Sequence, residues 1–466
     1  MSLRVIDPRD NVAVQLGEGG PVPAGHKVAQ APIRRGELVI KYGEAIGRAT
    51  QDIAPGEWVH THNLKSHLDE AAEYHYHPRP CSLPRQEDWF LGYRRPWGEA
   101  GIRNEIYILP TVGCVNPICQ RLEREAQSLV GGSLDGIFAL PHQFGCSQLG
   151  EDGDNIRRLL CGAALNPNAS FVLFVGLGCE NNSLAGIRRE LEPFHRDNLA
   201  FLNCQDVENE LAAGMELLRG FAERAKALRR ERVPLSQLRV GLKCGGSDGY
   251  SGLTANPLVG AVADRVVAAG GSALLTEVPE MFGAEQLLMD RCESQEVFEA
   301  YRDMILRFRR YYTDNGFPVY ENPSPGNKAG GITTLEEKSL GCVKKGGSSP
   351  IVDVLPYGER LKKPGLSVLE GPGNDLISST ALGAAGCQLV LFTTGRGTPF
   401  STFVPTVKIA SNSPLAQRKH QWIDFDAASG SAEALYQFIR QTASGESPCK
   451  GESLREIAFH KTGVTL

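Results

Sequence analysis

Residues 171–179, Phe-Val-Leu-Phe-Val-Gly-Leu-Gly-Cys, run five apolar residues into a glycine-flanked cysteine. A run that short, apolar on both faces and rich in β-branched and aromatic residues, reads as a buried strand of a parallel sheet. The same figure recurs on either side. Ile106–Leu109, Gly136–Leu140, Leu199–Leu202, Leu238–Leu242 and Ala273–Thr276 are further apolar runs. Between them, Pro117–Leu129, Asn155–Ala164 and Val207–Arg230 have helical composition. Strands alternating with helices predict βαβ units and a Rossmann-like, largely parallel α/β region.

Upstream the pattern differs. Ile33-Arg34-Arg35-Gly36-Glu37-Leu38-Val39 returns twenty positions later as Ile53-Ala54-Pro55-Gly56-Glu57-Trp58-Val59. Each copy reads as strand, tight glycine turn, strand. With Val12–Val14, His26–Ala29 and Leu38–Ile40 as further short strands, residues 1–66 are expected to form a small all-β module. Residues 67–101 are polar, carry Pro78, Pro80, Pro84 and Pro96, and read as a linker. Its His67, Tyr74, His75, Tyr76 and His77 give an ordered surface or, alternatively, a metal tract. The remainder divides into an α/β domain over 102–235 and an α/β catalytic domain over 236–466. In the latter, Leu366–Leu369 and Gln388–Thr393 are strands and Ala432–Arg440 a helix. Asn322–Gly331, Gly341–Ser349 and Glu370–Asp375 are polar, glycine-dense loops of the kind that carry function.

With 466 residues, 41% of them hydrophobic and 22% charged, the chain can bury a large core and shows no compositional sign of disorder. The 49 basic and 54 acidic side chains form no cationic stripe, which argues against a nucleic-acid partner. No apolar run approaches the roughly 18 residues of a membrane span, and the start, MSLRVIDPRD, lacks the apolar core of a signal peptide. A soluble, cytoplasmic protein is expected. The 12 cysteines include no CxxC pair and read as buried thiols, metal ligands or reactive groups before disulfides.

Cys114, Cys146, Cys179, Cys204 and Cys244 each follow a strand, and parallel sheets bind ligands beyond the carboxyl ends of their strands. Cys146, Cys179 and Cys244 are candidate soft ligands for iron, zinc or an iron–sulfur cluster. The alternative is that they are small buried hydrophobes. His60-Thr61-His62-Asn63 ends the second repeat. On a strand, His60 and His62 share a face and can converge on one ligand or metal; otherwise they face solvent. Gly245-Gly246-Ser247-Asp248-Gly249 fits a nucleophile elbow, although Tyr250–Pro257 continues as loop where a helix is required. A glycine loop open to a polyhydroxy substrate explains it equally. Glu277 and Glu280 follow a strand directly, where one could be a metal ligand or base; the default for either alone is a helix-capping or solvated carboxylate. There is no Walker A sequence, and Gly176–Asn181 fails the dinucleotide fingerprint, so phosphate and nicotinamide cofactors are not indicated.

Several long motifs resemble the altronate/galactarate dehydratase family over nearly the whole chain. They are Cys179-Glu180-Asn181-Asn182, Cys244–Gly249 with Thr254-Ala255-Asn256-Pro257, Glu277–Glu285, Asn322–Gly331, Gly371–Asp375 and Thr394–Pro399. The N-terminal module looks like the family's SAF (β-clip) domain, with Gly17-Glu18-Gly19-Gly20 in place of a longer first hairpin. Thr111–Asn116 and Lys461–Leu466 look most like the altronate branch. The resemblance implies a hydro-lyase that dehydrates D-altronate to 2-dehydro-3-deoxy-D-gluconate in hexuronate catabolism, with galactarate as the alternative substrate. It implies Fe(2+), with Mn(2+) or an iron–sulfur cluster as alternatives, for which Cys146, Cys179 and Cys244 are the candidate ligands. His60, His62, Glu277 and Lys328 are then the candidate catalytic groups. Asn63, Asn181, Ser247, Asp248, Asn256, Asn327, Asn374 and Arg396 would bind the sugar acid, Lys328 or Arg396 pairing with its carboxylate. A homo-oligomer, a dimer, is expected. The rivals are a serine hydrolase using Ser247 with His420 or His460, and a non-catalytic sugar- or metal-binding protein built on the β module.

Overall fold

The twenty-residue repeat folds as two copies of one turn. The computed structural model describes residues 2–20, 22–68, 73–79, 81–320 and 322–465; Met1, Pro21, 69–72, Pro80, Glu321 and Leu466 lie outside the described residues. Gly36 and Gly56 sit at φ +87° and +84°, backbone that residues with a Cβ rarely adopt. The Glu37 and Glu57 carboxylates close their turns on the backbone N–H of Arg34 and Ala54, each at 2.8 Å. Ile33 and Ile53 exchange two backbone hydrogen bonds, 3.0 and 2.8 Å, that join the copies. The surrounding strands pair antiparallel in two small sheets. One contains Ser2–Arg4, Val12–Leu16, Lys27–Ala29 and Trp58–Val59, the other Leu38–Lys41, Glu44–Ala49 and Leu64–Lys65.

The stretch expected to be a linker is packed. Residues 73–79 and 81–88 have no regular secondary structure but lie along the C-terminal region. Tyr74 Oη donates to Glu285 Oε1 (3.0 Å), Tyr76 Oη to the Cys292 carbonyl (2.9 Å), and Arg79 N–H to the Asp290 carbonyl (2.7 Å). Trp89–Arg94 is then a strand, paired antiparallel with Glu231–Pro234 and with Ala100–Gly101. Composition averaged over 67–101 hides these tyrosines and the apolar residues of Trp89–Arg94, and they decide the outcome.

Two parallel sheets follow. The first orders its strands Gly136–Ala139, Glu105–Pro110, Ala169–Gly176 and Leu199–Asn203. Every residue of Ala169–Gly176 is buried, as an apolar run without alternation requires. The second sheet orders Ile351–Leu355, Gly365–Leu369, Ser272–Leu275, Arg239–Cys244, Leu389–Thr394, Thr406–Ala410 and Phe425–Asp426, all parallel. Arg239–Cys244 comes first in the chain yet lies in the middle. Ser272–Leu275 adds on one side and Leu389–Thr394 on the other, making the switch point beyond which such sheets bind ligands.

The two sheets share an apolar layer. The helix Asp375–Ala384 packs so closely on Glu151–Ala164 that a Cβ on Gly162 would lie 2.5 Å from the Ala384 carbonyl oxygen. Several elements escape a reading by apolar pattern. Ile351–Leu355 and Thr406–Ala410 are strands interrupted by Asp353 and Lys408, and Pro325–Ala329 and Leu335–Cys342 are helices within segments dense in glycine and charge. The helix Ala255–Ala268 begins inside the segment expected to continue as loop. Among the described residues, no helix is long and apolar enough to cross a membrane.

Candidate active site

The end of the central strand Arg239–Cys244 sets the site. Lys243 is wholly buried, and a buried ammonium needs partners. It finds Glu277 Oε1 at 2.5 Å and Asp375 Oδ1 at 2.9 Å. Cys244 ends the strand, and only glycine fits next: a Cβ on Gly245 would lie 2.4 Å from the Phe392 ring and 2.6 Å from the Asp375 carboxylate. Glu277, after the neighbouring strand, has φ +74°. Such backbone costs a non-glycine residue roughly 1–3 kcal/mol and collects at functional sites. Its carboxylate also accepts from Lys345 Nζ (2.8 Å) and from the Cys244 N–H (3.2 Å).

One turn on, Glu280 accepts from Lys338 Nζ (2.8 Å) and from the Cys342 thiol (2.9 Å). Lys338 and Cys342 both belong to the helix Leu335–Cys342, which is buried at every position. Cys244 Sγ lies 2.6 Å from Ser247 Oγ, and Lys345 Nζ lies 3.3 Å from Cys342 Sγ. Cys244, Glu280 and Cys342 bring one ligand atom each within 4.8 Å of one another, the one such convergence among the described residues.

The electrostatics separate these groups. A hydrogen bond from Cys342 holds the Cys244 thiol well below its ordinary range, and the same bond, with burial, pushes Cys342 up. Burial raises the Glu277 carboxyl against the pull of Lys243 and Lys345. For Glu280 burial pushes up as well, but Lys338, Lys243 and Lys345 outweigh it and hold the group at about 2.

These strand ends open into a cleft of about 690 Å³. Cys244, Glu280, Lys338, Asn322, Ser324, Asn327, Asp375 and His460 line it, with Phe308, Tyr311, Tyr312 and Phe317 as an apolar side. The β module grips the loop that carries Ser324 and Asn327. His60 Nε2 donates to the Lys328 carbonyl (3.0 Å), His26 Nε2 to that of Ala329 (3.3 Å) and Lys27 Nζ to that of Gly331 (2.8 Å). Trp58 Nε1 donates to His26 Nδ1 (3.2 Å), which fixes that imidazole's tautomer. Lys27 and Lys41 both pair with Glu337, at 2.8 and 2.7 Å, with all three side chains at most 1% exposed.

Three family models match the chain in order. The altronate/galactarate dehydratase SAF domain covers residues 10–67, the second domain of D-galactarate dehydratase/altronate hydrolase 92–226, and the D-galactarate/altronate dehydratase C-terminal domain 235–465. The chain belongs to the altronate/galactarate dehydratase family. It is 50% identical over 461 residues to the altronate dehydratase of Bacillus subtilis strain 168, covering 96% of this chain and 92% of the relative. It is 49% identical over 472 residues to the altronate dehydratase of Escherichia coli K12, covering 98% and 94%. To the galactarate dehydratase (L-threo-forming) of Escherichia coli K12 it is 32% identical over 481 residues, covering 94% and 92%.

The structure corrects several expectations. His60 and His62 share no strand face, because the strand ends at Val59 and residues 61–63 turn. His60 reaches the substrate-side loop, whereas His62 is exposed against the Trp58 ring, centroids 5.5 Å apart. Asn63 is buried in that turn, accepting from the His60 N–H and donating to the Trp58 carbonyl, both at 2.9 Å. Cys146 and Cys179 are exposed and stand outside the Cys244 group, whose other members are Cys342 and Glu280. Most of the candidate sugar-binding residues hold backbone, although Asn327 and Asn374 also line the cleft. Asp248 accepts from the Tyr250 and Ser251 N–H groups, Asn256 donates to the Gly341 carbonyl and Asn327 to that of Ser247. Asn181 accepts from Ser147 N–H, and Asn374 caps the helix Asp375–Ala384. Arg396 is exposed and donates to the Gly326 carbonyl (3.3 Å), and Lys328 lines a neighbouring hollow that also contains Asn322. Ser247 Oγ faces a sulfur, not an imidazole, and His420 is exposed, so the hydrolase arrangement is not built.

Proposed function

We propose that this dehydratase converts D-altronate to 2-dehydro-3-deoxy-D-gluconate, a step of hexuronate breakdown. The observation that carries the reading is 50% and 49% identity to two altronate dehydratases across nearly the whole chain, against 32% to a galactarate dehydratase. Taking the proton from C2 of an aldonate creates an enediolate dianion unless a cation accepts the charge. The donor chemistry fits a single Fe(2+), or Mn(2+), on Cys244, Cys342 and Glu280, a mixed sulfur and carboxylate set. Ligands at about 2.0–2.3 Å from one ion lie within about 4.6 Å of each other, and these three lie within 4.8 Å. Bound there, the metal would supply Lewis-acid stabilisation of the developing enediolate.

The chain's own residues supply the rest. Lys338, on the cleft lining beside Glu280, offers a cation to the substrate carboxylate. His460 is the histidine on that lining, and burial lowers its imidazole, which leaves it neutral near pH 7. It takes the C2 proton and, as imidazolium, returns a proton to the C3 oxygen as water leaves. The enol then tautomerises to the ketone. Glu277 stays behind the cleft, holding Lys243 and Lys345 in place. Twelve free thiols support a reducing compartment, the cytoplasm. Anaerobic assays with Fe(II), reductant and either D-altronate, galactarate or D-mannonate, read by 2-keto acid formation, test the proposal. The expected kcat/KM is at least tenfold higher on D-altronate. Higher efficiency on galactarate reassigns the substrate, and no product from any of the three overturns the reading.

A further inference from the structure

A hollow of about 430 Å³ shares no lining residue with the active-site cleft. Three segments meet there: the hairpin bearing Trp97 and Glu99, the first sheet's domain with Phe194 and Arg196, and Arg360 after the strand Ile351–Leu355. Its charge exceeds what the fold itself neutralises. One carboxylate, Glu99, faces three guanidiniums: Arg239 at 2.7 Å, Arg196 at 3.1 Å and Arg360 at 3.2 Å. The other lining acids are paired as well, Glu190 with Arg157 at 3.8 Å and Glu359 with Lys362, itself on the lining, at 3.0 Å. Arg158, also on the lining, is exposed and has no ion-pair or hydrogen-bond partner among the described residues.

The burial of these cations sharpens the imbalance. Arg196 has a side chain only 5% exposed, and its Nε is buried without a hydrogen-bond partner among the described residues. Its guanidinium stacks 3.7 Å from the centre of the Trp97 ring. Desolvation pushes Arg360 down to about 10 and lowers Arg196 as well, the mark of positive charge held in a poor solvent. Buried charge is stable only when paired, and a guanidinium pairs best with a planar or tetrahedral oxyanion. Phe194, 43% exposed, and Trp97 add ring faces for the apolar part of a ligand.

We propose that this hollow is a binding site for a small oxyanion-bearing metabolite, a carboxylate or a phosphate, held by Arg196 and Arg360 with Arg158 at the entrance. A ligand there bridges three segments of the fold and stabilises their junction. The test is calorimetric titration of the full chain at fixed ionic strength with inorganic phosphate in one arm and citrate in the other, and potassium chloride as the control. The expected result is saturable binding in at least one arm, which identifies the preferred oxyanion, with a melting temperature raised by at least 2 °C at saturation. Arg158→Gln removes no ion pair or hydrogen bond among the described residues, so it should keep the ligand-free melting temperature while weakening binding at least threefold. Arg196→Lys keeps the charge but loses the guanidinium fork and should weaken it at least tenfold. No saturable binding in either arm, or binding that both variants leave unchanged, overturns the proposal.

Discussion

Cys342 is the residue on which the metal reading turns. Cys342→Ser keeps the side chain's size but exchanges a soft sulfur for a hydroxyl. Iron content and turnover are both expected to fall at least tenfold. Cys146→Ser and Cys179→Ser, on exposed positions, should leave both within twofold. Metal analysis of the purified variants decides the matter, since unchanged iron in Cys342→Ser would remove the sulfur–carboxylate group as the site. His142 gives a second prediction, in pH. Its Nε2 donates to the Pro110 carbonyl (2.8 Å) and its Nδ1 accepts from Phe144 N–H (3.2 Å), so the fold requires the neutral ring. Burial pushes its pKa down to about 4, whereas an unfolded histidine titrates near 6.5. Between those values the unfolded chain holds more protons, so stability falls as pH falls through the window and is complete above it. From pH 7 to 4.5 the wild type should lose about 2–3 kcal/mol relative to His142→Gln. Parallel urea-denaturation curves against pH for the two proteins would refute this. Part of the site is legible in the sequence because Cys244, Glu277 and Glu280 directly follow apolar strands. Cys146 and Cys179 follow strands equally well, and nothing in their spacing tells which sheet carries the chemistry. Lys338, Cys342 and Lys345 do recur at i, i+4 and i+7, one face of a helix, but in a segment whose glycine and charge obscure it.

That helix, Leu335–Cys342, explains how charge can be buried wholesale. Each charged side chain meets a partner: Glu336 accepts from Ser66 Oγ and His67 N–H, Glu337 from Lys27 and Lys41, and Lys338 reaches Glu280. Removing one partner from such a set leaves charge buried and uncompensated, at a cost of about 3–5 kcal/mol. Glu337→Gln should therefore destabilise the protein by about that amount, because it strands two ammoniums at once. In Glu337→Gln/Lys41→Met, one stranded charge is gone and part of the loss should return. A shift of the urea midpoint too small to be resolved in the single variant would show that the triad carries no net stability. The elements legible in the sequence are those whose burial is apolar, such as Ala169–Gly176. Those that are not, Leu335–Cys342 with Ile351–Leu355 and Thr406–Ala410, are buried through paired charge or interrupted by Asp353 and Lys408. No apolar period marks them, because their partners lie up to about 300 residues away in the chain, as Lys41 and Glu337 do with a separation of 296.

In the whole molecule the β module acts as a clamp on the cleft's loop. His60, His26 and Lys27 donate to the carbonyls of Lys328, Ala329 and Gly331, and a Cβ on Gly249 would lie 2.0 Å from the Gly25 carbonyl oxygen. The module thus fixes the backbone that presents Ser324 and Asn327 to the cleft, without placing an imidazole on the cleft lining itself. This separates three variants. Deleting residues 1–66 unpairs Glu337 as well as releasing the loop, so turnover and stability should be lost together. His60→Ala removes one donor from a half-exposed carbonyl that water can satisfy, a loss of about 1 kcal/mol in stability. Its effect on turnover should be larger, about tenfold, because a displacement near 1 Å in a positioning element weakens every contact of the transition state. His62→Ala touches only the exposed face of Trp58 and should stay within twofold of wild type on both counts. Steady-state kinetics on D-altronate and melting temperatures on the three proteins test the ordering. If His62→Ala proves as damaging to turnover as His60→Ala, the module contributes a side chain to the chemistry and not only a hold on the loop. Wild-type turnover in the truncated protein would dispense with the clamp altogether.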